Sequence, residues 1–380
     1  MAQMAKVKVV QIIARMNVGG PAVIVADLMR SIDSSKVEQI LITGYCDESE
    51  ADYLETVATD IKATRIAGLG RSVSLVADVR AFFALVGMIK KVAPDVIHTH
   101  TAKAGVLGRL AAILAGRQAK RIHTFHGHLL HGYFSGWKVK LVIAIEKFLA
   151  KRTDVLVAVG NQVKSDLLAA GIGEEDQYRV FYPGLAEPAK FAKADARAQF
   201  GMSAGDIYVA YVGRLTTIKR PDRLMDTAAE IKARNLPVKF TVAGEGDLFE
   251  KTKSEAAARE LPVTFLGWRK DIAALFAASD IAILTSDNEG IPLTLIQAAQ
   301  AALPIVATDV GSISDIVVHE VNGYLVDTEP AALADALQKL AIDPVLREIM
   351  GQAGRERATR YFSLEKMCGD HTELYQLLHR

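Results

Sequence analysis

Short runs of β-branched and apolar residues alternate with longer stretches whose apolar positions recur every three or four residues, and this rhythm runs the length of the chain. The first runs, over 6–14 ("KVKVVQIIA"), 38–45, 94–100, 120–127 and 154–160, predict strands. Helical periods lie between them, from Pro21 to Ser31, over 74–93 and over 105–116. The rhythm restarts after residue 200, with strands predicted over 206–214, 238–246, 263–268, 280–286 and 304–309. Strands alternating with helices make a parallel sheet covered on both faces. Residues 183–195 ("PGLAEPAKFAKAD") carry two prolines and no period, and read as a linker. The expectation is an α/β protein of two doubly wound Rossmann-like domains, over 1–185 and 186–363, facing across a cleft. Ligands of such sheets bind beyond the carboxyl ends of the strands, so the loops that follow strands are where chemistry is sought.

Composition narrows this picture without redirecting it. The chain has 380 residues, more than one core usually serves, and half of them are hydrophobic. Lys and Arg number 45 against 44 Asp and Glu, which gives no overall attraction to nucleic acid. No stacking or zinc motif supplies a local one, so nucleic acid is not expected as a partner. The two cysteines, Cys46 and Cys368, have no metal or redox spacing and suit a reducing, cytoplasmic compartment. Lys6 and Lys8 interrupt the first apolar run, which reads as a strand rather than a signal peptide. No apolar stretch reaches the roughly 18 residues of a membrane span, so any membrane contact is expected from the surface.

Three strand-end loops carry candidate chemistry. In "NVGGPAV" (17–23), Gly19 and Gly20 let backbone approach a ligand and Pro21 suits a first helical turn; a plain tight turn fits equally. In "VGRLTTIKRPDRL" (212–224), Arg214 and Lys219 place two cations at a strand end, enough to neutralise a diphosphate; a solvated basic turn is the alternative. In "TSDNEGIPLTLIQAAQAALPIVATDVGS" (285–312), Glu289 precedes a helix opened by Pro292. The free N–H groups of Gly290, Ile291 and Leu293 would make an anion site there. Gln297 lies four positions after Leu293 on the same helical face, where it can touch a ligand or be an ordinary polar helix residue.

These loops, in this order, resemble the GT-B-fold retaining glycosyltransferases of family four. The landmarks are "GG" at 19–20, "VGRL" with Lys219, "AGEG" at 243–246, "FLGW" at 265–268 and the stretch 285–312. "HTHTAKAGVLGRLAA" (98–112) and "HTFHGHLLHGYFS" (123–135) are similar to a bacterial subgroup that builds envelope polysaccharides. The resemblance implies that Gly19 and Gly20 approach a donor diphosphate and that Arg214 and Lys219 hold it. Gly244, Glu245 and Gly246, with the backbone near Trp268 and Arg269, would line the nucleotide pocket. Glu289 would meet hydroxyls of the transferred sugar, and Gly290, Ile291, Pro292 and Leu293 its phosphate and ring. His126 matches the family's active-site histidine. A last helix over 364–380 would return to the N-terminal domain. The family carries glutamate where this chain has Gln297; an amide accepts through one oxygen only, so donor binding should be weaker while the chemistry is spared.

The implied reaction moves a sugar, with retention, from a nucleotide-diphosphate donor (a UDP-sugar by expectation) to a hydroxyl of a glycan or lipid-linked acceptor. Arg214 and Lys219 would take the place of a divalent metal, and the donor is a substrate, so no cofactor is expected. Six histidines crowd residues 98–131, where zinc is conceivable, but strand alternation sends rings to opposite faces. The reading preferred here puts Lys103, His128 and His131 on the acceptor side. In 138–152, Lys140, Lys147 and Lys151 fall on one helical face and Leu141, Ile145, Phe148 and Leu149 on the other. This is a helix packed on the sheet with a solvated lysine face, or a surface for anionic lipid over 133–152, peripheral at the inner face of the membrane. Two other functions stand beside transfer: a sugar-nucleotide epimerase or hydrolase, and a donor-binding scaffold without turnover.

Overall fold

The computed structural model describes residues 6–48, 50–116, 118–127 and 137–379, the side chains of 137 and 138 excepted. The chain divides into two compact units, residues 1–184 with 364–380, and residues 185–363.

In unit 1 the order is β1 (Val7–Ile13), α1 (Gly20–Ser31), β2 (Val37–Thr43), α2 (Tyr53–Thr56), β3 (Ala63–Arg65), α3 (Leu75–Val92), β4 (Val96–His100), α4 (Ala102–Leu114), β5 (Lys120–Phe125), α5 (Trp137–Ala150), β6 (Val155–Ala158), α6 (Asn161–Ala169) and β7 (Tyr178–Val180). Unit 2 holds α7 (Lys193–Gln199), β8 (Ile207–Val212), α8 (Pro221–Ala233), β9 (Val238–Ala243), α9 (Phe249–Ala258), β10 (Val263–Gly267), α10 (Ile272–Ala278), β11 (Ile281–Leu284), α11 (Leu293–Gln300), β12 (Ile305–Thr308), β13 (Gly323–Val326), α12 (Pro330–Ile342) and α13 (Pro344–Tyr361). The last helix, α14 (Leu364–His379), packs on α1, β1 and β4 of unit 1 and buries Met367, Cys368, His371, Leu374 and Tyr375.

Both sheets are parallel throughout, ordered β3-β2-β1-β4-β5-β6-β7 and β10-β9-β8-β11-β12-β13. Their central strands are buried on both faces, which is why they read as nearly unbroken β-branched runs. In each sheet the order reverses once, between β1 and β4 and between β8 and β11. In such sheets ligands bind at the reversal, beyond the strand carboxyl ends; on that side of its own sheet, unit 1 carries Gly19 and His100 and unit 2 carries Arg214 and Glu289.

Some expected boundaries move, each for a local reason. The strand expected over 280–286 ends at Leu284. Thr285 turns its hydroxyl to the carbonyls of Lys219 and Arg220, at 3.0 and 3.1 Å, and gives its own carbonyl to Arg223. The linker expected over 183–195 gains a helix from Lys193, because Lys193 and Arg197 both anchor on the buried Asp280, at 2.7 and 2.6 Å. In α5 the expected division of faces is corrected. Leu141 and Phe148 are exposed, whereas Glu146 is buried, gripped by both oxygens to Arg109 of α4 at 2.9 and 2.7 Å. A buried arginine recruits the one acid of the helix inward, and the apolar residues beside the lysines turn out. Among residues expected to touch a membrane, 133–136 lie outside the described residues, as do His128 and His131 of the expected acceptor side.

Candidate active site

In unit 2 the site is built by loops stacked on one another. Gly213 N–H bonds Ala243 O at 3.0 Å, Leu215 N–H bonds Glu245 O at 3.0 Å and Gly244 N–H bonds Gly267 O at 2.7 Å, so the ladder continues past the ends of β8, β9 and β10. The spacing leaves no room for a side chain at Gly244: φ is +137° and a Cβ would stand 2.0 Å from the Gly213 carbonyl oxygen. Gly244 and Gly246 are therefore explained by this packing alone. Arg214 follows directly, exposed, and among the described residues its guanidinium has no hydrogen bond or ion pair.

Lys219 and Glu289, 70 positions apart, form an ion pair with both side chains largely buried. Ser286 donates its hydroxyl to the same carboxylate at 2.6 Å, and the Glu289 carbonyl accepts the Ser312 N–H at 3.1 Å. The loop is braced from below: Arg223 holds Thr285 O at 2.5 Å and Asp287 at 2.7 Å, and Asp287 N–H meets Ile218 O at 2.9 Å. Tyr211 is fully buried in the sheet nearby; burial first, then the Glu289 charge, pushes its phenol pKa up. Pro292 caps α11 rather than opening it. Among the described residues the N–H groups of Gly290, Ile291 and Leu293 have no acceptor. The Gln297 amide, half-buried one turn along the helix, has no side-chain hydrogen bond either. This end of unit 2 thus offers one free guanidinium, one ammonium balanced by a carboxylate, and three open amides at the positive end of a helix.

The neighbouring positions differ in freedom. Trp268 is 51% exposed, and its backbone N–H lies 3.4 Å from Glu245 Oε1. Arg269 is clamped by Asp271 at 2.8 and 2.5 Å, so only its backbone is left for a ligand.

In unit 1, Gly19 has no structural demand for glycine: its φ of 176° is ordinary extended backbone, and a Cβ would meet nothing closer than 3.9 Å. With Gly20 at the start of α1, it leaves an open stretch of backbone. Lys103 points elsewhere, tied to Asp78 at 2.6 Å and to Ser72 O at 2.5 Å.

His126, just past β5, belongs to a buried chain of neutral polar groups. Register sets Gln11 beside His98 and His100 beside Thr124 across β1, β4 and β5. His126 Nε2 meets His100 Nδ1 at 2.9 Å, His100 Nε2 meets Gln11 Oε1 at 2.8 Å, and Gln11 Nε2 donates to Tyr375 OH at 2.9 Å. His98 bridges Tyr375 OH and Thr124 Oγ1 at 2.8 and 2.7 Å. His123 lies on the other face, bonded to Thr99 at 2.8 Å and packed on Gly105 of α4. Burial holds these imidazoles uncharged: it brings His126 down to about 3 and His371 to about 4, and moves His98, His100 and His123 well below the usual range. His126 Nδ1 is buried without a partner. It lines a cavity of about 10 Å³, with room for about one water, shared with His100, Thr124, Phe181 and His371.

Sequence reasoning did not single out Gln11, His371, Tyr375, Tyr211, Arg223 or Ser286. A buried glutamine in "VVQII" was the one visible signal, since a polar residue inside a doubly covered strand must find partners.

Two family descriptions match, "Glycosyl transferases group 1" over residues 192–357 and "Glycosyl transferase 4-like domain" over residues 19–184. The chain is 30% identical over 352 residues to a UDP-Gal:alpha-D-GlcNAc-diphosphoundecaprenol alpha-1,3-galactosyltransferase of Escherichia coli, covering 89% of each chain. Among solved structures, sucrose-phosphate synthase from Thermosynechococcus elongatus superposes with a TM-score of 0.83 at 21% identity, covering 98% of this chain and 99% of that one. HepE of Anabaena, in complex with UDP and glucose, gives a TM-score of 0.82 at 21% identity, covering 97% of this chain and 99% of that one.

Proposed function

The chain belongs to the GT-B glycosyltransferases of the group 1 and 4-like type, and from that premise we propose that it transfers a sugar, with retention, from a UDP-sugar to a hydroxyl of a glycan or lipid-linked acceptor in envelope polysaccharide synthesis. The observation that carries the proposal is the Lys219–Glu289 pair set beside the open amides of Gly290, Ile291 and Leu293. As the bond between sugar and phosphate breaks, negative charge grows on the diphosphate. Arg214, Lys219 and those amides meet it where it develops, which is the stabilisation that raises rate. They supply positive charge of the kind a divalent cation brings elsewhere. Glu289, released from Lys219 as the phosphate takes its place, turns to hydroxyls of the sugar. The leaving phosphate can accept the proton of the attacking hydroxyl on the face it departs from, so a second catalytic carboxylate is not required. His126, neutral and with Nδ1 unsatisfied, offers one hydrogen bond to a substrate group in unit 1.

The test is calorimetric titration of the wild type and Lys219→Ala with UDP, then GDP and ADP. UDP should bind tightly to the wild type and at least tenfold more weakly to the variant. Equal affinity in both would remove Lys219 from the donor site, and absence of binding by all three nucleotides would overturn the reading.

A further inference from the structure

The polar chain of unit 1 ends on a backbone carbonyl, and that end sets the direction of its bonds. Leu28 O of α1 can only accept, so the group of Gln39 that meets it at 2.8 Å is the amide Nε2. Gln39 Oε1 is thereby turned to Gln11, whose facing group must donate and is Nε2, at 3.1 Å. Gln11 Oε1 then faces His100, and His100 Nε2 carries the hydrogen between them at 2.8 Å. A neutral imidazole carries one hydrogen, so His100 Nδ1 is bare and accepts. His126 Nε2 supplies the hydrogen it accepts, at 2.9 Å. His126 Nδ1 is left as a lone pair, buried and without a partner among the described residues. The chain crosses four adjacent strands, β2, β1, β4 and β5, and all of it lies in unit 1.

Most of this network would accept the opposite order. With the Gln11 amide turned over, its nitrogen would donate to His100 Nε2, and both imidazoles would carry hydrogen on Nδ1. His126 would then present an N–H where it now presents a lone pair. The side branch would follow, because it ends in hydroxyls that donate or accept. Tyr375 OH lies 2.9 Å from Gln11 Nε2 and 2.8 Å from His98 Nδ1, and Thr124 Oγ1 lies 2.7 Å from His98 Nε2. Gln39 opposes the turn, since two carbonyl oxygens would face each other at the 3.1 Å now spanned by a hydrogen bond. Its place in the sheet fits this role. Gln39 pairs with Val9 and Gln11 with Leu41, so the two amides stand diagonally on one face of neighbouring strands.

We infer that Gln39 is a positioning residue: through Gln11 and His100 it holds His126 in the Nε2–H tautomer, so that Nδ1 meets the substrate only as an acceptor. The substrate atom met there carries hydrogen, as a sugar hydroxyl does and an ionised phosphate oxygen does not. The role in catalysis rests on the transferase reading, whereas the tautomer belongs to the free protein and is measured without donor. The experiment is nitrogen NMR of the full chain with isotope-labelled histidine, in which coupling to ring protons tells a bare nitrogen from an N–H. His126→Asn identifies the signals of His126 among the nine histidines. The wild type should show Nε2–H and a bare Nδ1. Gln39→Lys puts a donor in place of Oε1, at a half-buried position where its charge reaches water, and should reverse His126 to Nδ1–H. Gln39→Glu keeps an acceptor towards Gln11 and should keep the wild-type tautomer, which a residue that merely packs the sheet would not distinguish from the lysine. Activity is read as UDP release from UDP-galactose or UDP-glucose with water as acceptor, whichever the wild type consumes faster. In Gln39→Lys its kcat/KM should fall about tenfold, roughly one hydrogen bond, while affinity for UDP, which lacks the sugar, should hold. Nδ1–H at His126 in the wild type overturns the proposal without any variant. An unchanged tautomer in Gln39→Lys overturns it too, as does a reversed tautomer with undiminished UDP release. A wild type with the stated tautomers that neither binds UDP nor consumes either donor overturns the transferase reading and leaves the hydrogen-bond chain standing.

Discussion

In unit 1 the polar groups at the strand ends are neutral and sealed. Gln11, His98, His100, His126 and the α14 residue Tyr375 are joined by short bonds, with His126 Nδ1 left without a partner. In unit 2 the groups at the equivalent strand ends are charged and paired with one another, Lys219 with Glu289 and both Arg220 and Arg223 with Asp287, while Arg214 is exposed and, among the described residues, unpaired. The same topology, with the same reversal of strand order, supports both. The difference follows from what each end is built to meet. A dry network fixes ring positions and tautomers, so that the unpartnered His126 Nδ1 is held in one place. An ion-paired loop can exchange one partner for a ligand, because an anionic ligand brings the charge that the displaced carboxylate supplied.

The largest effect should come from breaking the exchange in unit 2. Glu289→Gln keeps the length of the side chain and removes the charge that holds Lys219. Transfer should fall by on the order of 10²–10³, as expected when a group acting in the transition state is lost. UDP affinity should hold or rise, because the ammonium is freed for phosphate. Steady-state transfer measured beside UDP titration separates the two. Loss of both together would mean that the pair is only a brace for the loop, and the contrast between an exchanging and a fixed centre would disappear.

How much of this was legible in the sequence follows the same division. In unit 2 each loop is local: Arg214 and Lys219 lie within one turn of chain, and Glu289 precedes its own helix, so strand rhythm and loop composition placed them. Their pairing, across 70 positions, needed the register of β8 against β11. In unit 1 the network joins residues 11, 98, 100, 126 and 375, and no local pattern announces a contact between a strand at one end of the chain and a helix at the other. The exposure of Leu141 and Phe148 and the burial of Glu146 in α5 were hidden for a related reason. Periodicity sorts apolar from polar, but Arg109, already buried, drew Glu146 inward against that sorting. At Lys103 the residue type was read for a ligand where a carboxylate of the chain, Asp78, already holds it.

Acid should separate the units next. The folded chain keeps His126 and His371 neutral, down to about 3 and 4, while the unfolded chain protonates them near 6.5. Their folded pKa values are depressed, so their contribution to stability is complete above pH 6.5. It is lost as pH falls from there towards 4, because the unfolded state takes up protons that the folded state does not. The slope is about 1.4 kcal/mol per pH unit for each imidazole. The slope is half of this at pH 6.5 itself, so with these two alone unit 1 should lose about 2 kcal/mol between pH 6.5 and 5.5. Unit 2 holds none of these buried imidazoles. The chain has one tryptophan in each unit, Trp137 and Trp268, so denaturant unfolding followed by fluorescence in Trp268→Phe reports on unit 1. A midpoint that does not move between pH 7 and 5.5 would show that the imidazoles are hydrated and the sealed centre is not sealed.

The smallest effect should sharpen the contrast from the other side. Gln297 is half-buried on α11, one turn beyond the open amides, and its side chain has no hydrogen-bond partner among the described residues. Gln297→Glu therefore breaks no internal bond. The new carboxylate can accept from two ribose hydroxyls where the amide accepts at one oxygen, and a charge-assisted bond is roughly twice as strong as a neutral one. The gain should be about 1 kcal/mol, a few-fold in affinity. Part of that is offset because the carboxylate also faces the diphosphate, whose charge repels it at a distance that salt screens. The titration should then show a few-fold lower Kd for UDP, a gain that grows with ionic strength, and no such gain for inorganic diphosphate, which has no ribose. A Kd for UDP that does not fall, or a gain equal for inorganic diphosphate, would put Gln297 away from the ribose and leave it an ordinary polar residue of the helix. A parallel rise in the rate of transfer at saturating donor is not expected, because the contact is made equally in the ground state and the transition state.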